Sequence, residues 1–194
     1  MSVEPFSRDD IIAGLRDLVA ELKLLDAIAG VRLVGGAALV LGYFERGVTH
    51  DVDSLHIRPG DDDVVLAAAQ TVARSRGWPP DWFNFGVTRA DALPTLGREA
   101  EWVTIYQEHG VHIQIGSKET LLAMKLRSNR PGRDVGDIRA LIALCSLKTV
   151  RSIEDLYEDL YPGDSLSARA LGIVTSILEE GTPTPLVPVS PIRW

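Results

Sequence analysis

The chain has 194 residues, of which 45% are hydrophobic, and it carries a formal net charge of −7 at pH 7. The length and apolar content fit a domain with its own core, and the acidic balance argues against a protein that grips nucleic acid over a broad basic surface. One cysteine, Cys145, excludes an internal disulfide, and its apolar helical surroundings predict a buried, unreactive thiol. No apolar run has membrane-spanning length and no signal-peptide pattern opens the chain, so we expect a cytoplasmic protein without membrane contact.

Hydrophobic periodicity and capping residues predict the elements of the first half of the chain. Ser7 with Asp10 has the pattern of an N-cap, and Gly30 is expected to stop the helix that follows. The predicted elements are an amphipathic helix from 7 to about 26, a strand at 31–34, a small apolar helix from 37 to between 42 and 47, a strand at 49–57 ended by Pro59 and Gly60, and a helix at 64–73 opened by aspartates 61–63. The aromatic segment 78–85 is expected to wedge into the core.

The second half of the chain predicts a β-hairpin followed by helices. Segments 102–106 and 111–115 alternate apolar and polar residues around a short turn, after an irregular stretch at 91–101. The predicted helices run from Ser117 to a break at Pro131 and Gly132, from about 134 to 147, from 152 to 160 and from 167 to 180, the last two capped by Ser152 and Ser167. Four prolines after Gly181 exclude a helix or central strand, so this tail is either disordered or laid over a surface.

Asp51 and Asp53 are the first candidates for chemistry. On an extended strand, side chains two residues apart point to the same face, and two neighbouring carboxylates favour a shared cation. Mg2+ prefers oxygen ligands and keeps water positions that a phosphate can take, with Mn2+ as an alternative. Upstream, Gly35 and Gly36 leave the backbone at a helix start open to an anion. A metal site next to a phosphate-binding turn predicts that the ligand is a nucleotide.

The order Gly35-Gly36, Arg46, Thr49, Asp51-Val-Asp53, followed by a lysine-bearing helix, resembles the nucleotidyltransferase superfamily that includes DNA polymerase beta and the kanamycin nucleotidyltransferases. It is more similar to the AbiEii and MenT types of bacterial toxin. The segment 119–125, which ends in Lys125, then Arg133-Asp134 and the segment 137–141, which begins with Asp137, resemble a second block of that family. The resemblance covers about 31–147.

This resemblance implies roles for individual residues. Asp51 and Asp53 would hold Mg2+, the backbone after Gly36 and the Arg46 side chain would receive phosphate oxygens, and Lys125 would place a charge on the triphosphate. Asp137 would complete the site. In the MenT type, a Ser or Thr beside the aspartates can be phosphorylated, which makes Thr49 a candidate regulatory position.

A local basic cluster lies on this acidic chain. Between 118 and 139 there are six basic and three acidic residues. The cations of the predicted RNA-binding patch are Lys118, Arg127, Arg130 and Arg133. Such a patch would contact phosphates of an acceptor RNA.

The chain departs from polymerase-like members of the superfamily at one position. Those members add a third carboxylate from a neighbouring strand, where this chain has His112 and Gln114. Asp137 could replace the missing carboxylate, or one metal and the proximity of the substrates could suffice, or the reaction could be slow.

The predicted fold is α/β (α+β): a polymerase-beta-like core with a small mixed sheet, plus C-terminal helices. Its predicted parts are a nucleotidyltransferase core at 1–116, a helical part at 117–180 that completes the active site and a proline-rich tail at 181–194. The resemblance implies a toxin that transfers nucleotides from an NTP to RNA, at the 3′ end of tRNA, and that pairs with a cognate antitoxin. The alternatives are a small-molecule, aminoglycoside-type nucleotidyltransferase and a catalytically silent nucleotide-binding or interaction protein.

Overall fold

The computed structural model describes residues 5–57, 60–89, 93–94 and 97–194. The chain divides into two compact units. The first consists of Met1–Ala90, Trp102–Ile115 and Pro188–Trp194, and the second of Asp91–Glu101 and Gly116–Val187. The segment before the hairpin therefore groups with the helical part, and the end of the tail groups with the first unit.

The first unit contains helices and the strands of a sheet, and the second unit contains helices. The elements from the N-terminus through the sheet are α1 Arg8–Leu24, β1 Ala29–Leu33, α2 Gly35–Gly42, β2 Val52–His56, α3 Asp62–Arg76, β3 Phe83–Asn84, α4 Gly86–Arg89, β4 Trp102–Glu108 and β5 Val111–Gly116. The helices that follow are α5 Lys118–Ser128, α6 Val135–Leu144, α7 Val150–Leu160 and α8 Ala168–Glu179.

The five strands form one mixed sheet in the order β3-β2-β1-β5-β4. Strand β1 pairs antiparallel with β2 and parallel with β5, and β2 pairs parallel with β3. His109 and Gly110 join β4 to β5 with positive φ at both positions, which is the geometry of a tight two-residue hairpin turn. The predicted α+β class with a small mixed sheet is confirmed.

Several local predictions are confirmed by the capping contacts and the core. Ser7 and Asp10 form a reciprocal capping box at the start of α1, and Asp61 caps α3. In the aromatic segment, Trp82 and Phe83 are each 1% exposed, and the Trp82 indole donates a hydrogen bond to the Ala69 carbonyl at 2.9 Å. This segment therefore belongs to the core.

Other boundaries differ from the prediction. Gly30 lies within β1 rather than stopping α1. A glycine is needed at this position because the adjacent Ile57 side chain leaves no room for a Cβ. The second strand is shorter than 49–57, because Thr49 forms an isolated bridge with Phe6 before β2 begins. Helix α7 begins two residues earlier than predicted: Thr149 is its N-cap, and Ser152 is the reciprocal partner in the capping box. Pro59 lies outside the described residues.

The end of the tail lies on the first unit of its own chain. Residues 182–194 form neither helix nor strand, as predicted. The Arg8 guanidinium donates to the Ser190 carbonyl at 2.6 Å, and the Trp194 ring packs 4.8 Å from the Tyr106 ring. Of the two alternatives for the tail, the structure shows a segment laid over a surface.

Two remaining expectations concern Cys145 and the membrane. Burial, with a smaller contribution from Glu119, raises the pKa of the half-buried Cys145 thiol to about 12, so the thiol stays protonated at neutral pH. None of the helices in the described part of the chain combines the length and apolarity that crossing a bilayer requires.

The two mid-helix glycines Gly14 and Gly172 give a matched test of packing. A Cβ at Gly14 would lie 2.6 Å from the Trp78 ring and 3.0 Å from the Trp82 ring, whereas a Cβ at Gly172 would meet nothing within 4 Å. We expect Gly172→Ala to raise the free energy of unfolding by up to about 1 kcal/mol through helix propensity. Gly14→Ala should lower it by about 1 kcal/mol, because overpacking two indoles outweighs that gain. Urea denaturation measures both, and stabilisation by Gly14→Ala would contradict the packing described here.

Candidate functional site

The candidate site begins where β1 passes into α2. The amide of Val34 donates to the carbonyl of Asp53 at 3.0 Å, which extends the β1–β2 pairing by one residue. Gly35 then adopts φ +64°, and a Cβ there would lie 3.0 Å from Oδ2 of Asp53. The Asp53 carboxylate therefore lies directly against the backbone of Gly35, at a position where a side chain would be strained and crowded.

Gly36 brings a second group of side chains to the same turn. A Cβ at Gly36 would lie 2.7 Å from Oγ1 of Thr49 and even closer to the guanidinium of Arg46. The Thr49 hydroxyl donates to the carbonyl of Asp51 at 3.2 Å. Arg46 and Thr49 thus pack on the backbone of Gly36, in the segment that leads to Asp51. The structure brings together all the site residues that were predicted from this part of the sequence.

The start of α2 has the features of an anion site. Its N-cap residue is Val34, which has no side-chain oxygen to accept a bond from the first-turn amides. Such amides carry partial positive charge and are satisfied by water, by a side chain or by a ligand. Arg46 adds a full positive charge beside them. A phosphate group matches this arrangement in charge and in hydrogen-bonding capacity.

Asp51 and Asp53 supply the oxygen donors beside this turn. Val52 and Ser54 are fully buried, while Asp53 between them and Asp51, the residue before β2, are half-exposed, so the Asp53 carboxylate belongs to the accessible face of β2. Within the described residues, no three His, Cys, Asp or Glu side chains form a cluster that could hold a metal ion. Two carboxylates fit Mg2+ if waters and a ligand complete its coordination, which is how this ion is commonly bound.

Thr49, the candidate regulatory position, is only 7% exposed. Its hydroxyl donates to Asp51, and its backbone exchanges hydrogen bonds with Phe6 at 2.6 and 3.0 Å. A kinase could reach this hydroxyl only after the 46–51 segment opened. Regulation at Thr49 stays a prediction.

Lys125 lies in the second unit and is buried rather than solvated. Its Nζ is 2.7 Å from Oδ1 of Asp134 and 2.8 Å from Oδ2 of Asp137, and Lys125 is 5% exposed. The structure therefore brings Lys125 and Asp137 together, as the sequence block predicted. Their implied role toward a triphosphate stays a prediction.

Asp134 is a member of this cluster that the sequence analysis placed in the second block but gave no role. It is fully buried, and it accepts hydrogen bonds from Ser128 and from the backbone and guanidinium of Arg130 as well as from Lys125. Burial alone would raise the pKa of Asp134, but the bonds from Arg130 and Lys125 outweigh it and hold this pKa well below its usual range. In the sequence Asp134 has the pattern of an N-cap, yet its side chain makes no capping bond to α6.

The predicted RNA-binding patch is largely neutralised inside the second unit. Lys118 donates to the Leu144 carbonyl at 2.8 Å and lies 3.8 Å from the Glu119 carboxylate, and Arg127 pairs with Asp164 at 3.1 Å. Arg130 is bound to Asp134. Arg133 is exposed, and no acidic partner for it is found in the described part of the chain. The cluster of cations in sequence is therefore not a cluster of free cations in space.

No protein-family model matches the chain, and neither does any curated protein or any solved structure. The interpretation of the site therefore depends on its own residues.

Removing the cation from the buried cluster should destabilise the second unit. In Lys125→Ala, Asp134 and Asp137 would remain buried without the ammonium between them, and breaking a buried pair in this way costs about 3–5 kcal/mol. Urea denaturation should show a loss of this size, whereas Lys148→Ala, at an exposed position, should change stability by less than about 0.5 kcal/mol. Equal stability of the two variants would show that the ion pairs of Lys125 with Asp134 and Asp137 are not formed in solution.

Proposed function

We propose that the protein is a Mg2+-dependent nucleotidyltransferase that uses an NTP as donor. The observation that supports this most is the seating of the Asp53 carboxylate against Gly35, with Arg46 and Thr49 against Gly36. Carboxylate oxygens that can bind a divalent cation and a guanidinium that can bind a phosphate then lie around one short turn. A nucleoside triphosphate with its bound cation has both complementary features.

The chain's own groups would bind and orient this substrate. The first amides of α2 and the Arg46 guanidinium would hold phosphate oxygens, while Asp51 and Asp53 would hold Mg2+. When bound, Mg2+ would neutralise the negative charge that develops on the departing pyrophosphate. In the reaction, an acceptor hydroxyl oxygen forms a bond to the α-phosphorus, the bond to pyrophosphate breaks and the hydroxyl proton passes to water. Positioning and charge stabilisation supply most of the rate enhancement of such a reaction.

The proposed acceptor is RNA, at the 3′ end of tRNA, and the proposed biological role is that of a toxin held in check by an antitoxin. This part of the proposal rests on the resemblance of the Gly-Gly, Asp-x-Asp and Lys125–Asp137 segments to the AbiEii and MenT toxins. The burial of Lys125 between Asp134 and Asp137 is consistent with a lysine that is held in a defined position. Adding nucleotides to the 3′ end of a tRNA would block its use in translation.

A small-molecule acceptor is the second candidate, and one observation favours it. Lys118, Arg127 and Arg130 are occupied by partners within the second unit, so they offer less charge to an RNA backbone than the sequence suggested. A cationic acceptor such as an aminoglycoside does not need a basic surface. The acidic overall charge of −7 also suits it.

The two candidates and the site are tested with each labelled NTP, Mg2+ and either total RNA, purified tRNA or an aminoglycoside. We expect label in tRNA from the wild-type protein. Asp51→Asn and Asp53→Asn should each lower the rate about a hundredfold or more, because each removes a negative oxygen donor that holds the cation. Asp81→Asn, at an exposed position, is the matched control and should keep wild-type activity.

The pattern of label decides between the candidates. Label in the aminoglycoside but not in RNA would favour the small-molecule enzyme. No transfer to any of these acceptors, in a folded wild-type protein, would contradict the proposed function.

A further inference from the structure

Arg32 holds an unusual position near the middle of the sheet. It lies in β1, opposite Leu55 of β2 and opposite Gln114 of β5. Its Nε donates to Oε1 of Gln114 at 3.1 Å, and its guanidinium lies 4.7 Å from the centre of the Trp102 ring. Gln114 in turn donates to the Thr104 hydroxyl at 3.2 Å. An amide and an indole thus fix the plane of the guanidinium.

Arg32 shares a sheet face with the two aspartates of the candidate site. Directly opposed residues in a pair of strands project to the same face, and so do residues two apart along one strand. Arg32 is opposite Leu55, and Asp53 and Asp51 precede Leu55 by two and four residues. The guanidinium therefore belongs to the same surface as the Asp53 carboxylate that lies beside Gly35.

The charge of Arg32 has no neutralising partner in the part of the chain that the structure describes. Among the described residues, no carboxylate lies within ion-pair distance of Arg32, and its Nη atoms make no hydrogen bond. Burial lowers the pKa of Arg32, with no opposing contribution from a nearby acid. A half-buried guanidinium whose Nη donors are not bonded by neighbouring side chains can bond the acceptor atoms of a ligand in place of water.

We propose that Arg32 forms a phosphate subsite on this sheet face, next to the carboxylates of the nucleotidyltransferase site proposed above, on which this inference rests. The planar fork of a guanidinium binds two phosphate oxygens at once, and its orientation by Gln114 and Trp102 reduces the entropy lost on binding. Gln114 accepts the bond from Arg32 Nε, which leaves the two Nη groups of the guanidinium for a ligand.

Two sources could supply the phosphate: the triphosphate of the nucleotide, or the backbone of an acceptor RNA. Binding of inorganic tripolyphosphate with Mg2+, and of a short single-stranded RNA ending in CCA, distinguishes them by calorimetry without any need for transfer. The variants are Arg32→Gln, which removes the charge, and Arg32→Lys, which keeps the charge but loses the fork. Arg74→Gln is the matched control, because it removes one exposed arginine of α3 whose side chain bonds Thr71 of the same helix.

We expect Arg32→Gln to weaken binding of one probe about tenfold or more, Arg32→Lys to weaken it less, and Arg74→Gln to leave it unchanged. A loss confined to tripolyphosphate assigns the subsite to the nucleotide, and a loss confined to RNA assigns it to the acceptor. Equal binding by wild type and Arg32→Gln, or no binding of either probe by wild type, would overturn the subsite.

The transfer assay separates the failure of this inference from the failure of the proposed function. If the wild-type protein binds a probe through Arg32 but transfers no nucleotide, the subsite stands and the proposed enzyme activity is contradicted. If the wild-type protein transfers nucleotide and Arg32→Gln does so with the same KM values and rate, the proposed enzyme activity stands and the subsite is overturned. Thermal unfolding of the variants shows whether each is folded before it is compared.

Discussion

The hydrogen bond from the Val34 amide to the Asp53 carbonyl is the constraint on which the candidate site depends. It carries the β1–β2 register past the end of β1, to the residue before Gly35. A slip of one residue would turn the Asp53 carboxylate to the opposite face and bring Val52 or Ser54 to Gly35. The two glycines follow from the same constraint, because a side chain at either position would collide with Asp53 or with Arg46 and Thr49. The register and the glycines therefore specify one geometry together.

The second unit is organised around a different kind of constraint, a buried ammonium between two buried carboxylates. Such a cluster is a poor way to stabilise a fold, because well-packed apolar residues of similar size would serve as well or better. Asp134 accepts bonds from Lys125, Ser128 and Arg130, so its charge is fully satisfied by the surrounding loop and helix. The arrangement therefore fixes the position of Lys125 through ion pairs rather than through apolar packing.

The parts of the structure that could be predicted from the sequence are those in which interacting residues lie close along the chain. The Ser7 capping box, the hairpin between β4 and β5, and the approach of Gly35 to Asp53 across one short helix are of this kind. The contacts of Arg32 could not be predicted, because Gln114 is 82 residues away and becomes a neighbour only through the parallel pairing of β1 with β5. Asp134 was placed in the second block without a role, because its contacts with Lys125, Ser128 and Arg130 depend on how the segment between α5 and α6 folds.

The distribution of charge on the sheet face connects these observations. Asp51 and Asp53 lie at one end of β2, and Arg32 lies one step away on β1, yet Arg32 forms no ion pair with either aspartate. The Arg32 guanidinium is held by Gln114 and Trp102 rather than by the aspartates. A ligand that complements them must carry positive charge at one place and negative charge at another, a short distance away. A metal-bound phosphate has this composition, whereas a simple anion or a simple cation would be attracted by one end of the face and repelled by the other.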